Sequence, residues 1–164
     1  MTQSNQRRPL LKRVVEVNAG GHKPISFLLV YRRDITVTRQ LRSLMERDDP
    51  VTADIVGRLG YFDLPDRSSL TDIVGPDLRL WQMTCLVERE LKERGDSPLL
   101  LGEGQVNVFH VRFHFIEAGG ILPRLEPWLV IVRRRRKRLH LSCCKVGGTE
   151  WDAGTRVFTT RLDG

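Results

Sequence analysis

The sequence predicts an α+β fold with a mainly antiparallel sheet. Two strand-like segments open the chain, helix-like segments occupy its middle, and four strand-like segments close it. Strands grouped at the two ends, with helices between them, are typical of α+β folds, whereas a wound parallel sheet needs strands and helices in alternation. We therefore expect an N-terminal hairpin and four C-terminal strands to form one sheet, with three to four central helices packed on one face.

The length of the chain, the composition of its N-terminus and its cysteine content predict one cytoplasmic domain. A chain of 164 residues can bury a substantial core, and we expect residues 1–10 to be a flexible N-terminus and residues 11–164 to be a single domain. The chain starts without the apolar segment of a secretion signal, and no run reaches the roughly 18 apolar residues of a membrane helix. We therefore expect no membrane partner. The chain has three cysteines, Cys85, Cys143 and Cys144, which is an odd number, and adjacent cysteines rarely bridge each other, so we expect no disulfide scaffold.

The first two predicted strands form an opening hairpin. Residues 11–17 are rich in β-branched side chains, with Val15 and Val17 on one face. A glycine-containing turn covers residues 19–24. Residues 25–31 place apolar side chains at alternate positions, which is the period of a strand with one buried face.

The middle of the chain predicts helices. Residues 36–47 place apolar side chains at helical spacing, and Asp49 with Pro50 can begin a shorter helix whose stripe is Val51, Ile55 and Leu59. Residues 69–72 have the spacing of a capping box for one turn. The longest helix is expected over residues 78–94, because its apolar positions repeat every three to four residues.

The C-terminal third predicts strands at residues 109–115, 128–133, 138–144 and 156–162. Apolar side chains in the first of these strands alternate with His110, Arg112 and His114. We therefore expect one sheet face to pack against the helices, and the other to meet water or a ligand.

Charge separates the ends of the chain from its middle. Residues 1–33 carry a net charge of +6 and residues 105–164 also carry +6, whereas residues 34–75 carry −3 and residues 76–104 carry −2. The strand-forming ends are therefore basic, which favours a polyanionic partner for the sheet.

The strongest functional signal is the run Arg133-Arg134-Arg135-Arg136-Lys137-Arg138. It lies between two strand-like segments, so we interpret it as the tip of a β-hairpin. Six adjacent cations repel one another, and contacts with phosphates would relieve that repulsion and release counterions. The same run could instead be a solvated hairpin, an edge that repels other strands, or a site for an acidic protein.

A second basic feature is the stripe His110, Arg112 and His114 on one strand face. The two histidines are about 13 Å apart along a strand, which is too far for one metal ion. They could stack on bases or bind phosphates beside the hairpin, or be an ordinary polar face. The patch could extend to cations of the first hairpin if the two hairpins pair nearby: Arg7, Arg8, Lys12, Arg13, Arg32 and Arg33.

Catalytic and cofactor motifs are weak. His110, His114 and His140 lie in arginine-rich segments, so a metal-independent ribonuclease could use them as acid and base. Two unrelated surface histidines are the simpler interpretation. The cysteines lack further ligands at useful spacing, and the glycine pairs do not precede helices, so we expect no metal and no cofactor.

These observations predict a non-catalytic nucleic-acid-binding protein that uses the basic hairpin, residues 133–138, and the basic sheet face. One alternative is a protein-interaction module or small inhibitor that binds an acidic partner through the same hairpin. The ribonuclease is the second alternative. The sequence does not distinguish DNA from RNA or single from double strands.

Overall fold

The computed structural model describes residues 11–49, 55–70, 78–93, 98–116 and 119–160. Within these ranges the chain is α+β and contains nine strands and three helices. In chain order they are β1 (Arg13–Asn18), α1 (Pro24–Tyr31), β2 (Ile35–Val37), α2 (Arg39–Arg47), β3 (Val56–Asp63), β4 (Ser68–Ser69), α3 (Leu80–Lys92), β5 (Val106–Phe115), β6 (Arg124–Arg135), β7 (Arg138–Lys145), β8 (Glu150–Trp151) and β9 (Arg156–Thr159).

Seven of these strands form one sheet in the order β1-β3-β9-β5-β6-β7-β2, and β4 pairs with β8 separately. Antiparallel pairing predominates, but β5–β9 and β2–β7 are parallel, so the sheet is mixed. The parallel pairs arise because β2 and β9 each reach the sheet after a long connection rather than a hairpin turn.

The predicted opening hairpin is wrong. Residues 25–31 lie in helix α1, and β1 pairs with β3 instead. Almost every side chain in this segment is apolar, so its alternation does not distinguish a strand from a buried helix. Pro24 stands at the first helical position, where its fixed φ favours helix, and Phe27 is buried in the core.

The predicted helix after Asp49 is also wrong where the structure describes it, because Val56–Asp63 form strand β3; residues 50–54 lie outside the described residues. Two glycines in β3 allow neighbouring groups to approach its backbone more closely than a side chain would permit. A Cβ at Gly60 would lie 2.5 Å from the Arg13 carbonyl oxygen, and a Cβ at Gly57 would lie 2.8 Å from Gln82 Nε2. Of the turn predicted at residues 69–72, Ser69 lies in β4, and the last two residues fall outside the described ranges.

The remaining elements agree with the prediction within a few residues. Helix α3 and strands β5, β6, β7 and β9 are confirmed. The helix expected from residue 36 begins at Arg39, because β2 takes the first positions and the Thr38 hydroxyl caps the helix by accepting from the Leu41 N–H at 3.4 Å.

The two faces of the sheet differ. The helices pack on one, here called the helix face, where Phe109 and Phe158 are fully buried. The opposite face, here called the second face, was expected to be polar. Its centre instead carries an apolar cluster, in which Leu70 and Trp151 belong to the small β4–β8 segment: Phe62, Leu64, Leu70, Val108, Leu129, Ile131, Trp151 and Val157. The centre of this face is therefore covered by apolar side chains rather than open and basic.

Candidate nucleic-acid interface

The basic run forms the tip of the β6–β7 hairpin, as the sequence predicts. Arg135 pairs with Arg138 as the last residues of the ladder, and Arg136 and Lys137 form the two-residue turn. Their φ angles are 49° and 66°, which correspond to a type I′ turn. Such turns usually contain Asn-Gly, because other residues are strained at positive φ. The two long cations therefore stand at a costly but well-defined turn.

Strand alternation gives the hairpin a basic side. Arg133, Arg135, Arg138 and His140 share the second face and are here called the basic ribbon. Arg133 lies directly opposite His140, and Arg135 opposite Arg138, which places paired Cβ atoms about 5 Å apart. Thr36 of β2 lies beside His140 on the next strand and adds a hydroxyl group. Three guanidinium groups and an imidazole thus converge on a two-stranded surface.

The ribbon arginines lie apart from every carboxylate that the structure describes. Within the ranges that the structure describes, none of its side chains takes part in an ion pair or hydrogen bond. Glu103 lies nearby, but its carboxylate accepts from the Arg136 backbone N–H at 2.9 Å. Many other cations lie within 4 Å of a carboxylate: Lys12, Arg42, Arg58, Arg67, Arg89, Lys92, Arg124 and Arg156. Positive charge is therefore left uncompensated at the hairpin.

Two predicted neighbours lie beside the ribbon. Exposed Arg32 and Arg33 precede β2, and the next carbonyl, of Asp34, accepts from the Leu139 N–H at 2.8 Å. Lys12 and Arg13 lie instead at the β1 edge, about 24 Å from β7 across five strand spacings. Arg7 and Arg8 lie outside the described residues.

The predicted histidines do not converge. His110 is only 3% exposed, whereas Arg112 and His114 are partly exposed. His110 and His114 are four residues apart on β5, or about 13 Å. His140 is offset from His110 by four residues and two strands, or roughly 16 Å. These separations give no support to a catalytic cleft shared by the three histidines.

Asp48 contacts the His114 end of β5 and was not singled out from the sequence. Its Oδ1 accepts from the His114 backbone N–H at 2.8 Å, and burial raises the pKa of this carboxyl to about 6. Burial lowers the pKa of His114, and the charges of Arg79 and Arg112 lower it further. His114 therefore adds little positive charge at neutral pH.

We expect Asp48→Asn to flatten the pH dependence of stability. The pKa of about 6 in the folded protein exceeds the ordinary carboxyl value of 3.8, so the stabilising contribution of the neutral carboxyl is complete below pH 3.8 and is lost as pH rises through 6. Asparagine stays neutral and still accepts from the His114 N–H. The variant should therefore gain up to about 3 kcal/mol relative to the wild type between pH 4 and pH 7.5.

Urea unfolding of both proteins at several pH values measures this gain. Asp66→Asn serves as the control, because Asp66 is exposed and its substitution should not change the slope. A pH dependence that is identical in wild type and Asp48→Asn would contradict the assignment.

A second group of titratable residues lies at the other end of the helix face. His22 Nδ1 is 3.3 Å from Glu88 Oε2, and His22 Nε2 is 2.8 Å from Thr84 Oγ1. This order of hydroxyl, imidazole and carboxylate resembles a nucleophilic triad. Thr84 is fully buried and bonds the Leu80 carbonyl, so no substrate can reach it. The group therefore ties the turn at residues 19–22 to α3. His22 is 62 residues from Thr84 in the chain, so no local sequence motif could have predicted this contact.

The three cysteine thiols are partly buried. Burial raises the pKa of Cys85 to about 12 and that of Cys143 to about 11, so neither forms a reactive thiolate at neutral pH. Among the residues whose placement is described, no three His, Cys, Asp or Glu side chains could hold one metal ion. No helix in the same ranges is long and apolar enough to cross a membrane.

The fold and its site define an α+β protein with a basic β-hairpin whose ribbon arginines lack carboxylate partners among the described residues. No protein-family model matches the chain, and comparisons with characterised proteins and with solved structures find no significant match.

Proposed function

We propose that this protein binds nucleic acid without catalysis, through the basic ribbon. The observation that carries the proposal is the set of guanidinium groups of Arg133, Arg135 and Arg138, which share one hairpin face and have no carboxylate partner in the described part. Uncompensated like charges at this spacing are costly, and a phosphate backbone would offset that cost. The three free cysteines suit a cytoplasmic location, which we include in the proposal.

The ribbon suits backbone contacts more than base readout. Arg133 and Arg135 are about 6.6 Å apart along β6, so both can contact the same sugar–phosphate chain. Arg138 lies across the hairpin from Arg135, and Arg136 and Lys137 extend beyond it. Arginine donates to phosphate oxygens through two N–H groups at once. We therefore expect tight but sequence-tolerant binding.

Salt titration of the wild-type protein tests this function. Binding to a generic DNA or RNA oligomer should weaken steeply with salt, with a log–log slope of about −3 to −4 if four phosphates are contacted. Fluorescence anisotropy at several salt concentrations measures the slope. Absence of binding at about 50 mM salt, or a slope near zero, would exclude the proposal.

An acidic protein partner is a second candidate, favoured by one observation. Helix α1 exposes Leu29 by 61% and Val30 by 73%, directly before the exposed Arg32 and Arg33. Apolar and basic groups side by side fit a partner segment that is both acidic and apolar. A pull-down that resists nuclease treatment and fails after Val30→Ser would favour this candidate; loss after nuclease would favour nucleic acid.

A further inference from the structure

A cavity of about 560 Å³ opens on the helix-face side of the hairpin, behind the basic ribbon. Its walls come from the β6–β7 hairpin, the turn before β2, the end of α3 and residues 98–102. Leu91 and Pro98 supply apolar surface, while Asp34, Arg134 and Lys137 supply charge. Volumes of this order are typical of small-molecule sites.

The oppositely charged side chains that line this cavity do not form ion pairs with one another in the described part of the chain. Arg134 and Lys137 have no ion pair in the described part of the chain, and neither has the Asp34 carboxylate. The other two carboxylates have local partners: Glu90 accepts from the Leu99 N–H at 2.8 Å, and Glu93 lies 3.4 Å from Arg89. Asp34 and the two cations thus present opposite charges to the same space without neutralising each other.

We propose that this cavity receives one nucleotide of a bound single strand. Arg134 and Lys137 would contact its phosphate, Asp34 would accept hydrogen bonds from an amino group of its base, and Leu91 and Pro98 would pack against the ring. Arg134 follows Arg133 in β6 and points to the opposite face, so a strand that leaves the ribbon reaches the cavity by passing around the hairpin tip, where Lys137 belongs to both the turn and the cavity lining. The inference rests on the proposed function, and it adds a preference for unpaired bases that carry amino groups.

Matched pyrimidine oligomers test the base preference. Oligo(dC) carries an exocyclic amino group on every base and oligo(dT) carries none, so oligo(dC) should bind at least about fivefold more tightly. Asp34→Ala, which leaves no acceptor for the amino group, should remove this preference and leave the salt slope unchanged. Arg135→Gln with Arg138→Gln should weaken both oligomers and keep their ratio. Equal binding of the two oligomers by wild type, or an unchanged preference in Asp34→Ala, would overturn the cavity assignment while leaving the proposed function intact.

Cytidine 5′-monophosphate tests the cavity without the ribbon. Amide NMR titration should shift the signals of Asp34 and Gly102, and Asp34→Ala and Arg134→Gln should each reduce the affinity at least about fivefold. Glu46→Gln, on the exposed side of α2, should have no effect. If no oligomer binds at low salt, the proposed function fails, and this titration decides the cavity by itself: unshifted signals would overturn it.

Discussion

Neutralising the ribbon with Arg133→Gln, Arg135→Gln and Arg138→Gln is expected to weaken binding of a generic DNA duplex on the order of 10²- to 10³-fold at 0.1 M salt. Each lost phosphate contact removes about 0.9 from the log–log salt slope, because its counterions are no longer released. Three lost contacts should therefore flatten the slope by about 2.7. Anisotropy titrations of wild type and variant at matched salt concentrations measure both quantities.

A matched control separates the ribbon from net charge. Arg42→Gln, Arg58→Gln and Arg89→Gln remove the same number of charges from cations that already have carboxylate partners. This control should leave the slope nearly unchanged. If it weakens binding as much as the ribbon variant does, attraction depends on total charge and the ribbon is not the site.

The turn offers a variant that separates charge from hairpin stability. Arg136→Asn with Lys137→Gly installs the residues that type I′ turns favour at positive φ. The hairpin should then be more stable, since Gly carries no left-handed penalty and Asn a small one. Binding should nevertheless weaken if both cations contact phosphates. Tighter binding by this variant would show that hairpin order, rather than these charges, limits affinity.

Phe109→Ala is expected to lower the free energy of unfolding by about 3 to 5 kcal/mol. Phe109 and Phe158 are fully buried, and their rings stack with centroids 4.3 Å apart and planes within 7°. They lie on the paired strands β5 and β9, so truncation leaves a cavity at the centre of the helix face. Domains of this size have about 5–15 kcal/mol of stability, so the loss would be a large share of the total.

Urea unfolding monitored by circular dichroism measures this loss. Val14→Ala is the control, because Val14 lies on the edge strand β1 and is 42% exposed; its effect should stay within about 0.5 kcal/mol. A loss below about 1 kcal/mol for Phe109→Ala would contradict the described packing of β5 against β9.

The sequence predicted correctly those elements whose apolar residues repeat with a clear helical or strand period within the segment. Helix α3 has apolar residues at helical spacing, and β5 alternates Phe and Val with polar residues. The basic run lies between two strand-like segments, so its hairpin could be predicted without knowing what surrounds it. The predictions for residues 25–31 and 56–63 were wrong because the local pattern of these segments does not decide between helix and strand. Their patterns suit either element, and the choice depends on Pro24 at the start of α1 and on the close approach of Gly60 to β1.

The sequence by itself determined the α+β class, the hairpin and its six cations, because these depend on short-range periodicity and on charge. The tertiary structure alone decided which cations are uncompensated. It brings carboxylates to Arg58 and Arg156, leaves the ribbon without them in the part of the chain that the structure describes, and buries His110 on a face expected to be open. It also brings Asp34 to the same cavity as Arg134. The physical reason is that ion pairing, burial and cavities depend on groups far apart in the chain, which become neighbours only when the sheet forms.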